Sequence, residues 1–162
     1  MLEFGTVVAT GRGLGLSMSL KRISVFAFLG AAVCLVWLAF QKVLLGAGPV
    51  TIGIQVLAVL LMIWARLTFG RRSFHAAANP TSGGLVTRGP YRWLRHPIYS
   101  AVLYFVWAGI AAHPSGRSML VALLASALLG VRMYGEERLL RDMYPEYAEY
   151  ARHTARVLPY IF

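Results

Sequence analysis

Two short polar runs carry most of the chemistry this chain can offer: Arg95-His96-Pro97-Ile98-Tyr99, at the mouth of an apolar segment, and Glu136-Glu137-Arg138-Leu139-Leu140, one apolar segment later. An arginine suits a carboxylate, a histidine or glutamate can take a proton, and a carboxylate accepts bonds from hydroxyl or ammonium groups. Ionisable side chains at a membrane edge are costly to keep without partners, so these runs are where chemistry is expected. Pro97 suits the first residue of a helix, where its missing N–H costs nothing, which puts His96 at the cap. Tyr99 follows three residues on, so both rings converge at the helix entrance, where the free N–H groups of the first turn suit an anion. Arg132 and Glu136 are four apart, as are Glu137 and Arg141, so a continuing helix pairs them. Each piece also has a purely positional account, with arginines marking the cytoplasmic edge and Tyr91, Trp93 and Tyr99 forming an interfacial belt.

The elements that must position these residues are membrane helices. The chain has 162 residues, 58% of them hydrophobic and only 14% charged, outside the balance of a soluble domain. Four apolar stretches carry the excess: Ile23 to Leu45, Val50 to Phe69, Ile98 to Ala112 and Ser118 to Met133. The first two span ~34 and ~30 Å as helices, enough for a hydrocarbon core of ~30 Å. The shorter third and fourth read as a helical hairpin turned by His113-Pro114-Ser115-Gly116-Arg117. The expected fold is therefore all-α and integral to the membrane, with about four transmembrane helices, the last two a hairpin, and a cytoplasmic amphipathic C-terminal helix. In segments, that is a lead-in over 1–22, two spans within 23–69, a cytoplasmic loop over 70–97, the hairpin over 98–135 and the C-terminal helix and tail over 136–162.

Of 16 basic residues, 14 fall on one side of this topology, leaving Lys42 and Arg117 on the other. Both termini and the long loop are thus expected to be cytoplasmic, in what reads as a bacterial inner membrane. The net charge of +10 is accounted for by this bias and by attraction to anionic headgroups, without nucleic acid. The single cysteine, Cys34, reads as a buried apolar thiol, and the N-terminus as lacking a cleaved signal. Gly11, Gly13 and Gly15 lack the strand–helix context of a dinucleotide fingerprint, and Asn79-Pro80-Thr81 fails as a glycosylation acceptor. His75, His113 and His153 are scattered, and no spacing resembles a metal site.

The stretch from Leu85 to Pro159 resembles the isoprenylcysteine carboxyl methyltransferase and phospholipid methyltransferase superfamily of integral membrane enzymes. The resemblance lies in Leu85-Val86-Thr87-Arg88-Gly89-Pro90-Tyr91-Arg92, Arg95-His96-Pro97-Ile98-Tyr99, Glu136-Glu137-Arg138-Leu139-Leu140, Tyr147, Tyr150, Arg156 and Pro159. Ala101 departs from the family's usual glycine two residues after the tyrosine. The best-known prenyl-protein members also have amino-terminal helices beyond those read here.

The resemblance implies S-adenosylmethionine bound without a Rossmann domain, between the last helices and the cytoplasmic loops. Leu85, Val86, Tyr91, His96, Tyr99, Glu137 and Arg156 would then bind cofactor, with Arg95, Glu136 and Glu137 in catalytic roles. The implied acceptor is lipophilic, an isoprenylcysteine-like carboxylate or similar, reached from the bilayer. A carboxylate or thiolate arrives deprotonated, whereas a phospholipid amine needs a base such as a glutamate or His96. Two other readings are open. Membrane sterol reductases are similar around the carboxy-terminal helices, which allows a nicotinamide-dependent lipid reductase with Arg71, Arg72 and Arg88 on the cofactor phosphates. A non-enzymatic membrane scaffold would leave both clusters as interfacial anchors.

Overall fold

The computed structural model describes residues 11–70 and 84–158, with side chains from residue 18 onward. Five α-helices follow in order: α1 Gly11–Phe40, α2 Pro49–Phe69, α3 Pro97–Ala112, α4 Gly116–Met143 and α5 Tyr147–Arg152, with a 3-10 turn over Gly89–Arg92 before α3. Among the described residues three helices are long and apolar enough to cross a membrane, over Met18–Phe40, Pro49–Phe69 and Gly116–Met143, while α3 is a shorter apolar helix.

The long helices turn many small residues inward and many large apolar ones outward. On α1, Ser24, Ala27, Ala31, Cys34 and Leu38 form one buried stripe, while Phe26, Val33 and Phe40 are exposed. The stripe packs along α4, whose Ala122, Ala125, Leu129 and Met133 are buried in turn. Small residues let two backbones approach in a medium where apolar side chains gain nothing by leaving lipid. At Gly135 an added Cβ would stand 3.3 Å from Ser24 Cβ. The same logic joins α2 to α3 through the buried Ala58, Ala65, Ala101 and Ala108.

The α1–α2 connection is stapled by a buried amide. Gln55 Oε1 accepts from Gly46 N at 2.8 Å, and Gln55 Nε2 donates to the carbonyls of Leu44, at 2.5 Å, and Phe105, at 3.1 Å. Gly109 lets the Val43 and Leu44 carbonyls lie against α3, where any Cβ would collide with them.

Several expected boundaries shift. α1 ends at Phe40, short of Leu45, and Lys42 takes a left-handed φ of 57° in the turn that follows. Upstream, α1 already runs through residues 11–22 of the expected lead-in; residues 1–10 lie outside the described residues. The turn between α3 and α4 is where the hairpin reading put it, but α3 lies mainly along α2 and α4 along α1. α3 and α4 meet over Val106, Ile110 and Ala122, with Trp107 Nε1 donating to Ser126 Oγ at 3.2 Å.

The C-terminal helix and tail expected over 136–162 take this form among the described residues: the last turns of α4, then the short α5. α4 continues unbroken to Met143, and Tyr144, the residue before Pro145, is extended at φ −119° and ψ 106°. A proline disfavours the helical region for the residue before it and cannot donate to the helix, so the chain breaks here. After the short α5, the segment runs back to the α3 entrance: Arg95 N donates to Ala155 O at 2.8 Å and His96 N to Arg156 O at 3.3 Å. Ser100 Oγ then donates to the Val157 carbonyl at 2.9 Å, holding the segment against α3.

Candidate functional site

The site grows from the start of α3 and the last turns of α4. His96 is the N-cap residue of α3 and Pro97 its first residue, and the His96 and Tyr99 rings lie 5.7 Å apart. Facing them, Glu136 and Glu137 project from consecutive positions of α4, so their carboxylates diverge around the helix by about 100°.

Glu137, its side chain 3% exposed, is the hub. Arg156 reaches it with two hydrogen bonds, Nε to Oε1 at 2.8 Å and Nη2 to Oε2 at 2.9 Å. Arg95 Nη1 lies 3.4 Å from Oε2, His96 Nε2 3.2 Å from Oε1, and Arg141 3.8 Å from Oε2. The hydrogen bonds that Arg156 donates to Glu137 raise its pKa above the ordinary value, burial opposing them, so this guanidinium stays charged.

Glu136 is less saturated, its side chain 19% exposed. It accepts from the Tyr99 hydroxyl at 2.7 Å and pairs with Arg132 at 2.8 Å. Arg132 also donates to the Tyr99 hydroxyl at 3.1 Å and lies over the Phe28 ring, 5.2 Å from its centroid. His96 bridges the two acids. Its Nε2 lies 3.2 Å from Glu137 Oε1 and its Nδ1 faces Glu136 Oε2, 3.8 Å away. That separation is too long for a hydrogen bond.

A ring of tyrosines closes the cluster. Tyr150 donates to the Tyr91 carbonyl at 2.7 Å, and Tyr91 packs on Phe69 with ring centroids 5.5 Å apart. Burial pushes the Tyr91 and Tyr150 phenols above their ordinary pKa, with the Glu136 charge adding at Tyr91 and Tyr147 adding at Tyr150.

The structure thus brings together Arg95, His96, Tyr99, Glu136, Glu137 and Arg156, and both expected i,i+4 pairs on α4 form. Leu85 and Val86 are half-buried on the segment before the 3-10 turn, and no hydrogen bond or ion pair joins them to the cluster among the described residues. Arg71, Arg72, His75 and Pro159 lie outside the described residues. No group of three or more potential metal ligands occurs among the described residues. Sequence reasoning left Arg132 out of the site, although its spacing to Glu136 was a usable signal. It also left out Tyr147, Ser24 and Phe28; the last two sit on α1, more than a hundred residues from their partner, with no local signal to mark them.

The chain was compared with known proteins. The profile of the isoprenylcysteine carboxyl methyltransferase (ICMT) family matches residues 51–142. The cobalt-zinc-cadmium resistance protein CzcN of Cupriavidus metallidurans is 34% identical over 76 residues, covering 46% of this chain and 35% of that protein. The match therefore spans about a third of that relative's length. No solved structure matches the chain. The family match takes in α2, α3 and nearly all of α4, and so both the His96 entrance and the paired glutamates: the chain belongs to the isoprenylcysteine carboxyl methyltransferase family.

Proposed function

We propose that the protein transfers a methyl group from S-adenosylmethionine to a lipophilic acceptor, an isoprenylcysteine-like carboxylate or similar, at the cytoplasmic membrane face. The observation that carries the reading is the convergence of Arg95, His96, Tyr99 and Arg156 on the Glu136–Glu137 pair, in a chain of this family.

The donor set fits such a cofactor. Glu136 has capacity to accept from a hydroxyl or ammonium group, and Arg95 Nε, without a partner among the described residues, is a donor for a carboxylate. When bound, S-adenosylmethionine supplies an electrophilic methyl group on a sulfonium. Displacement at that carbon is in line, so the work of the chain is to align the acceptor and exclude water. Arg95 orients an anionic acceptor. Tyr99 and His96 offer ring faces to a cation. Glu137 holds His96 Nε2–H, which leaves Nδ1 facing Glu136 to take the proton of an acceptor that arrives protonated, the case of a phospholipid amine.

An apolar cavity of about 220 Å³ between α1, α2 and α3 supports a lipophilic acceptor; Leu35, Ala58, Met62, Ala101 and Phe105 are among its lining. Ala101 begins it, about one turn into α3 from the entrance.

The test is thermal stabilisation of the detergent-purified protein by S-adenosylhomocysteine, against a nicotinamide dinucleotide, in wild type, Glu137→Gln and His96→Ala. A ligand that binds only the folded state raises stability as its concentration passes the dissociation constant. Stabilisation by S-adenosylhomocysteine that both variants lose is expected. Stabilisation by the dinucleotide alone would replace the reading with a lipid reductase, and by neither with a scaffold.

A further inference from the structure

The two glutamates differ in how an arginine meets them. Arg156 closes on Glu137 as a fork, Nε to Oε1 and Nη2 to Oε2. Arg132 approaches Glu136 through Nε, 2.8 Å from Oε1, and the same Nε donates to the Tyr99 hydroxyl at 3.1 Å. The Tyr99 hydroxyl in turn donates to Oε1 at 2.7 Å. All of this converges on one oxygen. The other, Oε2, accepts no hydrogen bond among the described residues, and His96 Nδ1 faces it from 3.8 Å.

Arginine and carboxylate commonly pair through two bonds, so the missing half of this fork needs a cause. The cause lies on α1. Arg132 Nη1 is turned away from Glu136, toward the Ser24 carbonyl at 3.4 Å, and the guanidinium carbon stands over the Phe28 ring, 5.2 Å from its centroid. Ser24 and Phe28 are four residues apart and so share one face of α1. The Arg132 side chain is 3% exposed, so these protein groups rather than water set its orientation. A planar guanidinium tied at one edge by a carbonyl and on one face by a ring is fixed in rotation, and the edge left for Glu136 is the single Nε–H.

We infer that Phe28 and the Ser24 carbonyl are positioning groups: α1 withholds the fork from Glu136, so that Oε2 stays open to a hydroxyl or ammonium group of a bound small molecule. Both lie outside residues 51–142, the extent of the family match, so the family profile does not carry them. That the small molecule is a methyl donor rests on the reading above; the positioning of Arg132 does not.

The experiment labels the full chain in detergent with the apolar carboxyl reagent dicyclohexylcarbodiimide and reads Glu136 and Glu137 separately by tandem mass spectrometry. Wild type is compared with Phe28→Leu and Phe28→Met, which remove the π face, and with Phe28→Tyr, which keeps it. In wild type Glu136 is expected to label, while Glu137, held by its fork, stays unlabelled and serves as the internal check on folding. Phe28→Leu and Phe28→Met should cut the labelling of Glu136 toward the Glu137 level, because the released guanidinium closes on both oxygens; Phe28→Tyr should restore it. Affinity for S-adenosylhomocysteine, from the shift in unfolding temperature, should follow the same order and fall about tenfold in the Leu and Met variants, the usual worth of a hydrogen bond to a charged group. The expected labelling pattern with no S-adenosylhomocysteine response in wild type keeps the positioning role and removes the methyltransferase reading. Glu136 that fails to label in wild type, labels as much or more in Phe28→Leu and Phe28→Met, or is not restored by Phe28→Tyr overturns the positioning role.

Discussion

Arg156 grips Glu137 through two parallel hydrogen bonds, Nε to Oε1 at 2.8 Å and Nη2 to Oε2 at 2.9 Å, joining the chain's C-terminal segment to its last long helix. The Glu137 side chain is 3% exposed and that of Arg156 41%, so the two ends of the pair differ in what their loss exposes. Glu137→Gln leaves Arg95 in a buried place without its counter-charge and is expected to cost about 3 kcal/mol, the scale of breaking a buried pair from one side. Arg156→Lys keeps a charge but loses the fork and is expected to cost about 1 kcal/mol, reduced by its exposure to solvent. Thermal unfolding of both variants in detergent checks the order; equal losses would show that the fork geometry carries most of the pair, and no loss in Arg156→Lys that it carries little.

Tyr147 and Tyr150 are expected to respond in opposite senses. Tyr150→Phe deletes the bond to the Tyr91 carbonyl at 2.7 Å and is expected to destabilise by about 1 kcal/mol. Tyr147→Phe deletes a buried hydroxyl whose O–H has no acceptor among the described residues and is expected to leave stability level or higher. The two variants measured side by side make the comparison independent of detergent.

Gln55 sits far from the glutamates, at the α1–α2 turn, with both ends of its amide engaged. Gln55→Leu strands the Gly46 N–H and two carbonyls, with an expected loss of about 1–3 kcal/mol. Its affinity for S-adenosylhomocysteine, followed by the ligand's shift of the unfolding temperature, should match wild type. A loss of affinity there would couple the two ends of the bundle.

Two glycines offer a control on packing. An alanine at 109 drives its Cβ into the Leu44 carbonyl and to 2.6 Å from the Val43 carbonyl, where backbone must move. Gly130 has nothing within 4 Å of an added Cβ. Gly109→Ala is expected to destabilise by about 1–3 kcal/mol, whereas Gly130→Ala should be neutral or gain up to about 1 kcal/mol from helix propensity. Unfolding temperatures of the two variants decide it.

Arg132 and Glu136 share Tyr99, so their substitutions should not add. Arg132→Gln and Glu136→Gln together are expected to cost less than their separate losses combined, by about 1 kcal/mol, since either change alone strands the other charge. A double-mutant cycle on thermal stability measures the difference, and strict additivity would mean that the pair is not coupled.

Helix identity and the nearness of His96 to Tyr99 and of the i,i+4 pairs on α4 followed from the sequence, because both rest on local physics. Apolar runs of sufficient length must be helical in lipid, where every backbone group needs an internal partner. His96-Pro97 marks a helix start through backbone sterics alone, and residues four apart on α4 meet whatever the rest of the chain does. Tertiary structure decided what depends on distant segments. The i,i+4 pairs across Arg132 to Arg141 announced a helix continuing past the apolar run, but not its end: α4 runs on to Met143, where Pro145 stops it. Ser24 and Phe28 reach Arg132 only because small residues on α1 and α4 bring the helices close. Arg156 and Tyr147 meet Arg95 and Glu137 because the segment after α5 folds back to pair with the α3 entrance, a contact that burial and backbone bonding fix and no local pattern announces.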